Sequence, residues 1–441
     1  MVAAGHDEQL DSWLKRHALP LKHVDPGVEV EDLRPLCRSL EGVRVVGLGE
    51  TTHGTRQFFR VRHRLLRFLV ESLGFNVLAV EASFAATRLV NDYVVKGLGE
   101  RDSVLTGIGS VMWDVVEFGE TLDWLRDYNR TVENERRVQF LGLDIFHTRL
   151  GREQVLAWLV RVAPHHVTDA ASLFQTIAAA EANGLLVAHE TLSPATAYGL
   201  SDLIDALGTQ KQVLVARSSL EEYAEASRQL EVILQWVEAY GFGRRAAAAS
   251  PRLGLNNYAR SRFMADNLIH YIQAISPDAR VALWAHSLHV SVGFHDATVG
   301  LVSNLGKRLR DTFGSRYYAL GLESNRGEYL CREWEQHGRT LGDLKVGTIF
   351  PAAQGWLPWQ LARVGQQFIL DLRGSAAVGD SHPWLDLTHT MFCAGWANSD
   401  PTLTTQVVLK SQYDGILFIE NTSATTPTGN AIETVARRAS H

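Results

Sequence analysis

The chain has few of the residues that mark disulfide scaffolds and zinc sites, and it lacks the long apolar runs of membrane proteins. Its 441 residues include only 3 cysteines, and Cys37, Cys331 and Cys393 lie far apart without a C-x-x-C spacing. This pattern argues against both a disulfide framework and a cysteine zinc site. No apolar run approaches the roughly 18 residues that cross a bilayer, and the first residues lack the apolar segment of a signal peptide. We therefore expect a protein of the reducing cytoplasm without a membrane partner.

The chain also lacks a strong charge of either sign. It has 43 Lys and Arg against 49 Asp and Glu, which gives a formal net charge of -6. Such a chain does not concentrate polyanions around itself, so we do not expect nucleic acid as a partner. The rest of the composition, 46% hydrophobic and 21% charged, is typical of a folded protein with a large core.

Several common catalytic and nucleotide-binding motifs are missing as well. The sequence contains no G-x-S-x-G, no H-E-x-x-H and no Walker P-loop. No motif therefore supports an assignment as a serine hydrolase of the G-x-S-x-G type or as a zinc protease. Gly47-Leu48-Gly49 begins like a dinucleotide fingerprint, but Thr52 stands where that fingerprint has its third glycine. We predict a tight turn there, and we predict no cofactor and no metal.

Short apolar runs predict the strands of a mostly parallel sheet, because they are nearly continuous and do not alternate. They cover 43–49, 76–80, 138–143, 281–285, 317–322, 368–370 and 415–419. Helical stretches at 56–73 and 119–130 separate the early runs, which favours βαβ units and an α/β fold flanked by helices.

The pattern changes between residues 151 and about 255, where long helical stretches such as 218–240 replace the strand-like runs. The segment Gly-Phe-Gly-Arg-Arg-Ala-Ala-Ala-Ala-Ser-Pro at 241–251 predicts a linker, and a further helix is predicted at 256–275. We expect residues 1–150 and 256–441 to form one α/β core, interrupted by a helical insertion over 151–255.

Ionisable residues follow four of the predicted strands. Glu50 and His53 follow the first strand, Glu81 ends the second and Asp144 follows the third, while the fourth continues as Trp284-Ala285-His286-Ser287-Leu288-His289. The C-terminal edge of a parallel sheet is where ligands bind, so these residues predict a site at that edge. A strand-end carboxylate is also a common helix cap or turn former, and we favour that interpretation for Asp144.

Glu50 and His53 are the strongest pair in this set. A histidine beside carboxylates is the usual apparatus for taking a proton from water near neutral pH, and Thr51, Thr52 and Gly54 are typical of a tight loop.

The two histidines after the fourth strand need a turn to face one site. Residues i and i+3 of a continued strand face opposite sides, so His286 and His289 reach one crevice only if the strand ends near Ala285.

Arg62 stands out on the helix predicted at 56–73. The polar face of this helix carries Arg60, His63, Arg64 and Arg67, and we expect it to be solvated. Arg62 lies instead within the apolar stripe, where an unpaired charge costs several kcal/mol. We expect it to pair with Glu50 or Glu81, and the alternative is a side chain that snorkels to the surface.

Stretches spread along the chain resemble the erythromycin esterase family in order and spacing. They are GLGETTHG (47–54), the helix that carries Arg62, LAVEAS (78–83), MWDVVEFGETLDWLRDYN (112–129), LGLDI (141–145), RFMADN (262–267), WAHSLHV (284–290) and YDGILFIENTSATTP (413–427). The resemblance extends from about residue 30 to residue 430. One departure is Ser261, where the family pattern leads us to expect an aspartate.

This resemblance implies both a fold and a reaction. The helical insertion would form a lid over the C-terminal edge of the sheet. The enzyme would open the lactone of 14-membered macrolide antibiotics with water, without a metal and without a covalent serine intermediate, and so give antibiotic resistance. By motif, the resemblance implies that His53 is the general base and that Glu50 and Glu81 orient it. It also implies that Arg62 helps to hold the carboxylates, and that His286 and His289 orient groups or stabilise the oxyanion.

Two other functions stay open at this point. Glu50, His53, Glu81 and His286 would also suit a metal-dependent hydrolase of another bulky ester. A non-catalytic protein that binds and sequesters its ligand would suit the same scaffold. In each case the partner is a small molecule, and water is the second substrate of either hydrolase.

Overall fold

The structure is a computed structural model that describes residues 8–182, 188–242, 255–296, 300–335, 340–377, 379–395 and 404–439. Its strands are β1 (Ala18–Pro20), β2 (Val45–Leu48), β3 (Val77–Ser83), β4 (Gln139–Asp144), β5 (Val281–Trp284), β6 (Phe294–Asp296), β7 (Gly300–Val302), β8 (Tyr317–Glu335), β9 (Thr340–Ile349), β10 (Gln367–Asp371), β11 (Thr388–Phe392), β12 (Thr404–Val408) and β13 (Gly415–Thr422). The structure confirms a mixed α/β fold with a central sheet flanked by helices.

The central sheet has the strand order β1-β10-β13-β8-β2-β5-β3-β4, with β9 paired to β8. The neighbours β13, β8, β2, β5 and β3 run parallel, whereas β1, β10 and β9 pair antiparallel. Every residue of β2, β3 and β5 is buried, which explains why these strands are continuous apolar runs in the sequence.

The helices are α1 (Glu8–His17), α2 (Leu36–Ser39), α3 (Arg56–Leu73), α4 (Ala86–Val94), α5 (Arg101–Gly107), α6 (Val116–Thr131), α7 (Arg149–Val162), α8 (Val167–Ala182), α9 (Ala188–Thr191), α10 (Pro194–Thr209), α11 (Lys211–Arg217), α12 (Leu220–Val237), α13 (Leu255–His270), α14 (Ser287–Val290), α15 (Leu305–Phe313), α16 (Leu357–Leu361), α17 (Leu372–Ala377), α18 (Leu409–Gln412) and α19 (Gly429–Ala439). Helix α3 ends at a left-handed Gly74 with φ 70°, whose N–H bonds back to the last turn. None of the described helices is both long enough and apolar enough to cross a membrane.

The chain divides into two compact units. The first comprises Met1–Glu81, Val90–Leu141 and Leu268–His441, and the second comprises Ala82–Leu89 and Gly142–Asn267. The second unit is helical apart from the ends of β3 and β4, and α7, α8, α10 and α12 pack around a core that includes Leu159, Phe174, Leu200 and Trp236. The boundaries at 150 and 255, and the lid, stay predictions.

Several local predictions differ from the structure. The run at 317–322 is only the start of β8, which continues to Glu335 and forms a hairpin with β9. The predicted linker at 241–251 lies outside the described residues from 243 onward.

The polar face of α3 is another such difference, because it is not fully solvated. His63 and Arg64 are 5% and 1% exposed. The segment that precedes α2 covers Arg64, which bonds there to the His23 carbonyl and to the carboxylate of Asp32. The ring of His63 lies 5.5 Å from that of Trp124 on α6. The prediction of a solvated face is therefore wrong for these two residues, because segments that are distant in sequence lie against them.

Candidate active site

The loop after β2 carries Glu50 and His53 and is held tightly by its neighbours. Gly54, which ends this loop, accepts bonds at its carbonyl from the N–H groups of Leu330 and Thr425, at 2.8 and 2.9 Å. A Cβ atom at Gly54 would lie 1.9 Å from the Leu330 carbonyl oxygen, so only glycine fits there. The loop is therefore fixed by close backbone packing against β8.

Glu50 joins His53 to Arg62 through its two carboxylate oxygens. Oε1 lies 2.7 Å from Nδ1 of His53, and Oε2 lies 2.5 Å from Nη2 of Arg62. Glu50 and Arg62 are fully buried, and His53 is 8% exposed. Glu50 is thus the partner of Arg62, and the alternative of a snorkelling side chain is wrong.

The guanidinium of Arg62 is enclosed by aromatic rings and backbone. It lies 4.9 Å from the ring centre of Phe59 and 4.8 Å from that of Trp284, and Nε donates to the Phe58 carbonyl at 3.3 Å. Burial lowers the pKa of Arg62, and the charges of Glu50 and Glu81 oppose that effect. Cation–π contacts and a buried carboxylate together stabilise a charge that the apolar stripe would otherwise exclude.

Glu81 lies on β3 and holds the turn that follows β5. Its Oε2 accepts the His286 N–H at 2.7 Å, and its Oε1 lies 3.4 Å from Nε2 of His289. Its own backbone carbonyl accepts Nε1 of Trp113 at 3.1 Å. The backbone turns after Trp284 into α14, so one carboxylate contacts both histidine residues.

His286 is a neutral residue that both caps a helix and supports the His53 loop. Its Nδ1 accepts the Leu288 N–H at 3.2 Å, so the proton is on Nε2, which donates to the Thr51 carbonyl at 3.3 Å. Burial, followed by the nearby His53, lowers the pKa of His286 to about 3. Its ring centre lies 5.1 Å from that of His53.

His53 is the group in this cluster best suited to accept a proton from water. Burial acts to lower its pKa, but the hydrogen bond and charge of Glu50, with the charge of Glu81, outweigh burial and raise it. Because Nδ1–H points to Glu50, the neutral ring carries its lone pair on Nε2. An oriented imidazole with one bound and one available nitrogen is the arrangement that general-base catalysis requires.

The candidate metal ligands are otherwise engaged. Both oxygens of Glu50 contact cationic or N–H groups, and Nδ1 of His286 accepts a backbone N–H. Within the part of the chain that the structure describes, no three His, Cys, Asp or Glu side chains are grouped as a metal site.

Asp144 belongs to the second unit, where it forms a turn and an ion pair. Its Oδ1 accepts the Phe146 N–H at 3.2 Å, as expected of a turn former, and Nε of Arg260 at 2.9 Å. The guanidinium of Arg260 also stacks on the Phe146 ring, 4.2 Å from its centre. Arg260 carried no signal in the sequence, because its partner lies far away along the chain.

A segment near residue 395, which no sequence pattern indicates, contacts the loop that carries Glu50 and His53. The N–H of Gly395 bonds to the Thr51 carbonyl at 3.1 Å, and its carbonyl accepts the His53 N–H at 3.0 Å. Backbone contacts between distant segments leave no pattern of residue types. The one local trace is the residue type at 395, because its positive φ favours glycine.

A family model and several similar proteins carry the name erythromycin esterase. The sequence model described as erythromycin esterase matches residues 70–422. The erythromycin esterase type II of Escherichia coli is 25% identical over 338 residues, which cover 72% of this chain and 78% of that protein. The type I enzyme of the same species is 24% identical over 273 residues, which cover 60% and 66%. A solved erythromycin esterase mutant in its open conformation has a TM-score of 0.67 at 19% identity, with 92% and 97% covered.

Proposed function

Because the chain belongs to the erythromycin esterase family, and membership of this family indicates a hydrolase, we propose that the protein opens the lactone ester of 14-membered, erythromycin-like macrolides with water. The observation that carries the chemistry is the orientation of His53 by Glu50 at 2.7 Å. Such a cytoplasmic enzyme would destroy the antibiotic before it acts, which gives resistance.

The proposed reaction begins at Nε2 of His53. This nitrogen takes a proton from water as the oxygen attacks the lactone carbonyl carbon, and the carbonyl oxygen becomes an oxyanion. When the intermediate collapses, the ring C–O bond breaks and the leaving alcohol oxygen receives the proton from His53. The products are a hydroxyl and a carboxylic acid on one opened chain, the acid then releases its proton to water, and no metal takes part.

The remaining residues hold the base and stabilise charge. Glu50 keeps the ring of His53 in one orientation and stabilises the imidazolium, while Arg62 balances the charge of Glu50. His286 is occupied by backbone groups on both nitrogens, so we assign the oxyanion donor to His289, which Glu81 orients. One such donor is worth roughly 10²-fold to 10³-fold in rate.

Mass spectrometry of a macrolide panel tests this function. Erythromycin and other 14-membered macrolides are incubated with the protein, with His53→Ala and with the exposed control His165→Ala. We expect a product heavier by one water with the wild type and the control, and a rate at least ~10²-fold lower with His53→Ala. Full hydrolysis by His53→Ala would contradict the mechanism.

The same panel separates the other candidate functions. No turnover of any macrolide, together with His53-dependent hydrolysis of nitrophenyl esters, would point to another bulky ester. Macrolide binding by calorimetry that is unchanged in His53→Ala and yields no product would point to a sequestering protein.

A further inference from the structure

Glu323 is a buried carboxyl group for which the proposed reaction has no use. It lies on β8 and is 0% exposed. Its Oε1 accepts the N–H of Ser324 at 2.8 Å, and its Oε2 accepts the N–H of Phe392 at 2.9 Å. Burial raises the pKa of Glu323 well above that of an ordinary carboxyl. No lysine, arginine or histidine of the described residues forms an ion pair with it.

Such a group is expensive to keep in a protein interior. A buried carboxyl without a cationic partner costs more than an apolar side chain of similar size. Among the described residues, two hydrogen bonds offset this cost, and one of them joins Glu323 to Phe392 at the end of β11, far along the chain. Glu323 therefore fixes the point at which the chain leaves β11.

Three residues after Phe392 the chain reaches the catalytic loop. Gly395 donates its N–H to the Thr51 carbonyl and accepts the His53 N–H, at 3.1 and 3.0 Å. It does so in the left-handed region, with φ 62°. These two bonds are made to the backbone of His53, the proposed base, and of Thr51, two residues before it.

The same loop is held from β8 at a second point. The N–H of Leu330, on the same strand as Glu323, bonds to the Gly54 carbonyl at 2.8 Å. Strand β8 thus holds the loop directly at Gly54, and it contacts the middle of the loop, at Thr51 and His53, through Glu323, Phe392 and Gly395.

We propose that Glu323 is a positioning residue for His53: through the Phe392 N–H it fixes the segment 392–395, whose Gly395 sets the backbone of the catalytic loop. This inference rests on the proposed function, since it assigns Glu323 to the same site. The reason that a small displacement matters is that the His53 ring must meet both Glu50 and the substrate, and an error of 1 Å can cost ~10²-fold in rate.

The first test compares Glu323→Gln with Glu328→Gln, an exposed glutamate on the same strand. The amide keeps the size of the carboxyl but turns an NH2 group toward one of the two N–H donors, so one hydrogen bond is lost. We expect Glu323→Gln to lower kcat for erythromycin ~10-fold or more with KM within ~2-fold, whereas Glu328→Gln stays at the wild-type rate.

The second measurement does not need a substrate. The titration of His53 is followed by NMR of protein with 15N-labelled histidine, and the His53 signal is assigned by its loss in His53→Gln. The charged groups that face this ring are Glu50, Glu81 and Arg62. If the His53 ring shifts away from Glu50, the pKa of His53 falls toward the ordinary value of about 6.5 in Glu323→Gln and not in Glu328→Gln.

A third pair of variants tests the middle of the link in case Glu323→Gln folds poorly. Within the described residues, a Cβ atom at Gly395 would meet nothing within 4 Å, so the obstacle there is the positive φ alone. Asparagine tolerates this conformation better than alanine does. We expect Gly395→Ala to lower both kcat and the pKa of His53. Gly395→Asn should keep most of the wild-type kcat and a His53 pKa close to that of the wild type.

The outcomes separate this inference from the proposed function. A wild type that hydrolyses no macrolide, but whose His53 pKa falls in Glu323→Gln and Gly395→Ala, keeps the inference and removes the macrolide assignment. Unchanged kcat and unchanged His53 pKa in both variants would overturn the inference. A lower melting temperature alone would overturn it as well, because it would show that Glu323 only supports the fold.

Discussion

Arg62 and Glu50 form an ion pair from which water is excluded. Nη2 of Arg62 lies 2.5 Å from Oε2 of Glu50, and both side chains are 0% exposed. A pair of this kind is costly to bury, and breaking it leaves one uncompensated charge in the interior. The candidate active site therefore depends on both members being present.

Removal of Arg62 should destabilise the fold far more than removal of an exposed arginine. We expect Arg62→Met to lower the free energy of unfolding by about 3–5 kcal/mol in urea denaturation, because the Glu50 carboxylate stays buried. Arg34→Met breaks the largely exposed ion pair between Arg34 and Glu31, and should change the free energy of unfolding by less than about 1 kcal/mol. The double variant Glu50→Gln/Arg62→Met should recover part of the loss, and full additivity would contradict the coupling.

Activity should rise with pH through the pKa of His53. Only the neutral ring accepts a proton, and Glu50 and Glu81 outweigh burial to raise the pKa of His53 above 6.5. We expect the acidic limb of the kcat/KM profile to lie above pH 6.5 in the wild type. In Glu50→Gln the limb should move to lower pH, with a lower plateau because the ring is less well oriented. A limb that stays in place would show that another group titrates.

The same pKa shift predicts how stability depends on pH. A histidine whose pKa is raised by folding stabilises the native state below the unfolded pKa, near 6.5, and this stabilisation is lost as pH rises through the native pKa. His53→Gln should remove this contribution, so the difference in melting temperature between wild type and variant should shrink above the native pKa. A difference that grows with pH would reverse the sign and reject the assignment.

His286 and His289 should behave differently when each is replaced by glutamine. His286 bonds to backbone through both nitrogens, so His286→Gln should lower both the melting temperature and kcat. His289 contacts Glu81 and has a side chain that is 12% exposed, so His289→Gln should lower kcat ~10²-fold with a small thermal effect. Calorimetry and initial rates on the two purified variants decide this, and equal thermal losses would contradict the distinction.

Exhaustive chelation should leave the activity intact. The oxygens of Glu50 and Nδ1 of His286 are already engaged by N–H and guanidinium groups, so a cation would have to displace them. We expect equal rates before and after dialysis against EDTA, and no gain from added Zn²⁺. A loss that Zn²⁺ restores would favour the metal-dependent hydrolase.

The parallel sheet and the Arg62 pairing could be predicted from the sequence because both are local signals. Continuous apolar runs mark strands that are buried on both faces, and an arginine within the apolar stripe of α3 must be paired. The turn after Trp284 was a condition for His286 and His289 to meet, and the structure supplies it through Glu81.

Other features were decided only by packing between distant segments. The sequence predicts a solvated polar face on α3, but Asp32 and its neighbours lie over Arg64 in the structure. Likewise, Gly395 contacts the loop that carries Glu50 and His53 through backbone atoms, and backbone atoms leave no signal in the types of residue.

Residue type and spacing were enough to show which side chains end the strands and that Arg62 requires a carboxylate, because strand burial and charge burial follow from them. The pairing of Glu50 with Arg62, the contact of Glu81 with the turn into α14 and the bond from Phe392 to Glu323 became visible in the fold. These contacts depend on distances of a few ångströms between segments far apart along the chain, and no local pattern of residues contains such distances.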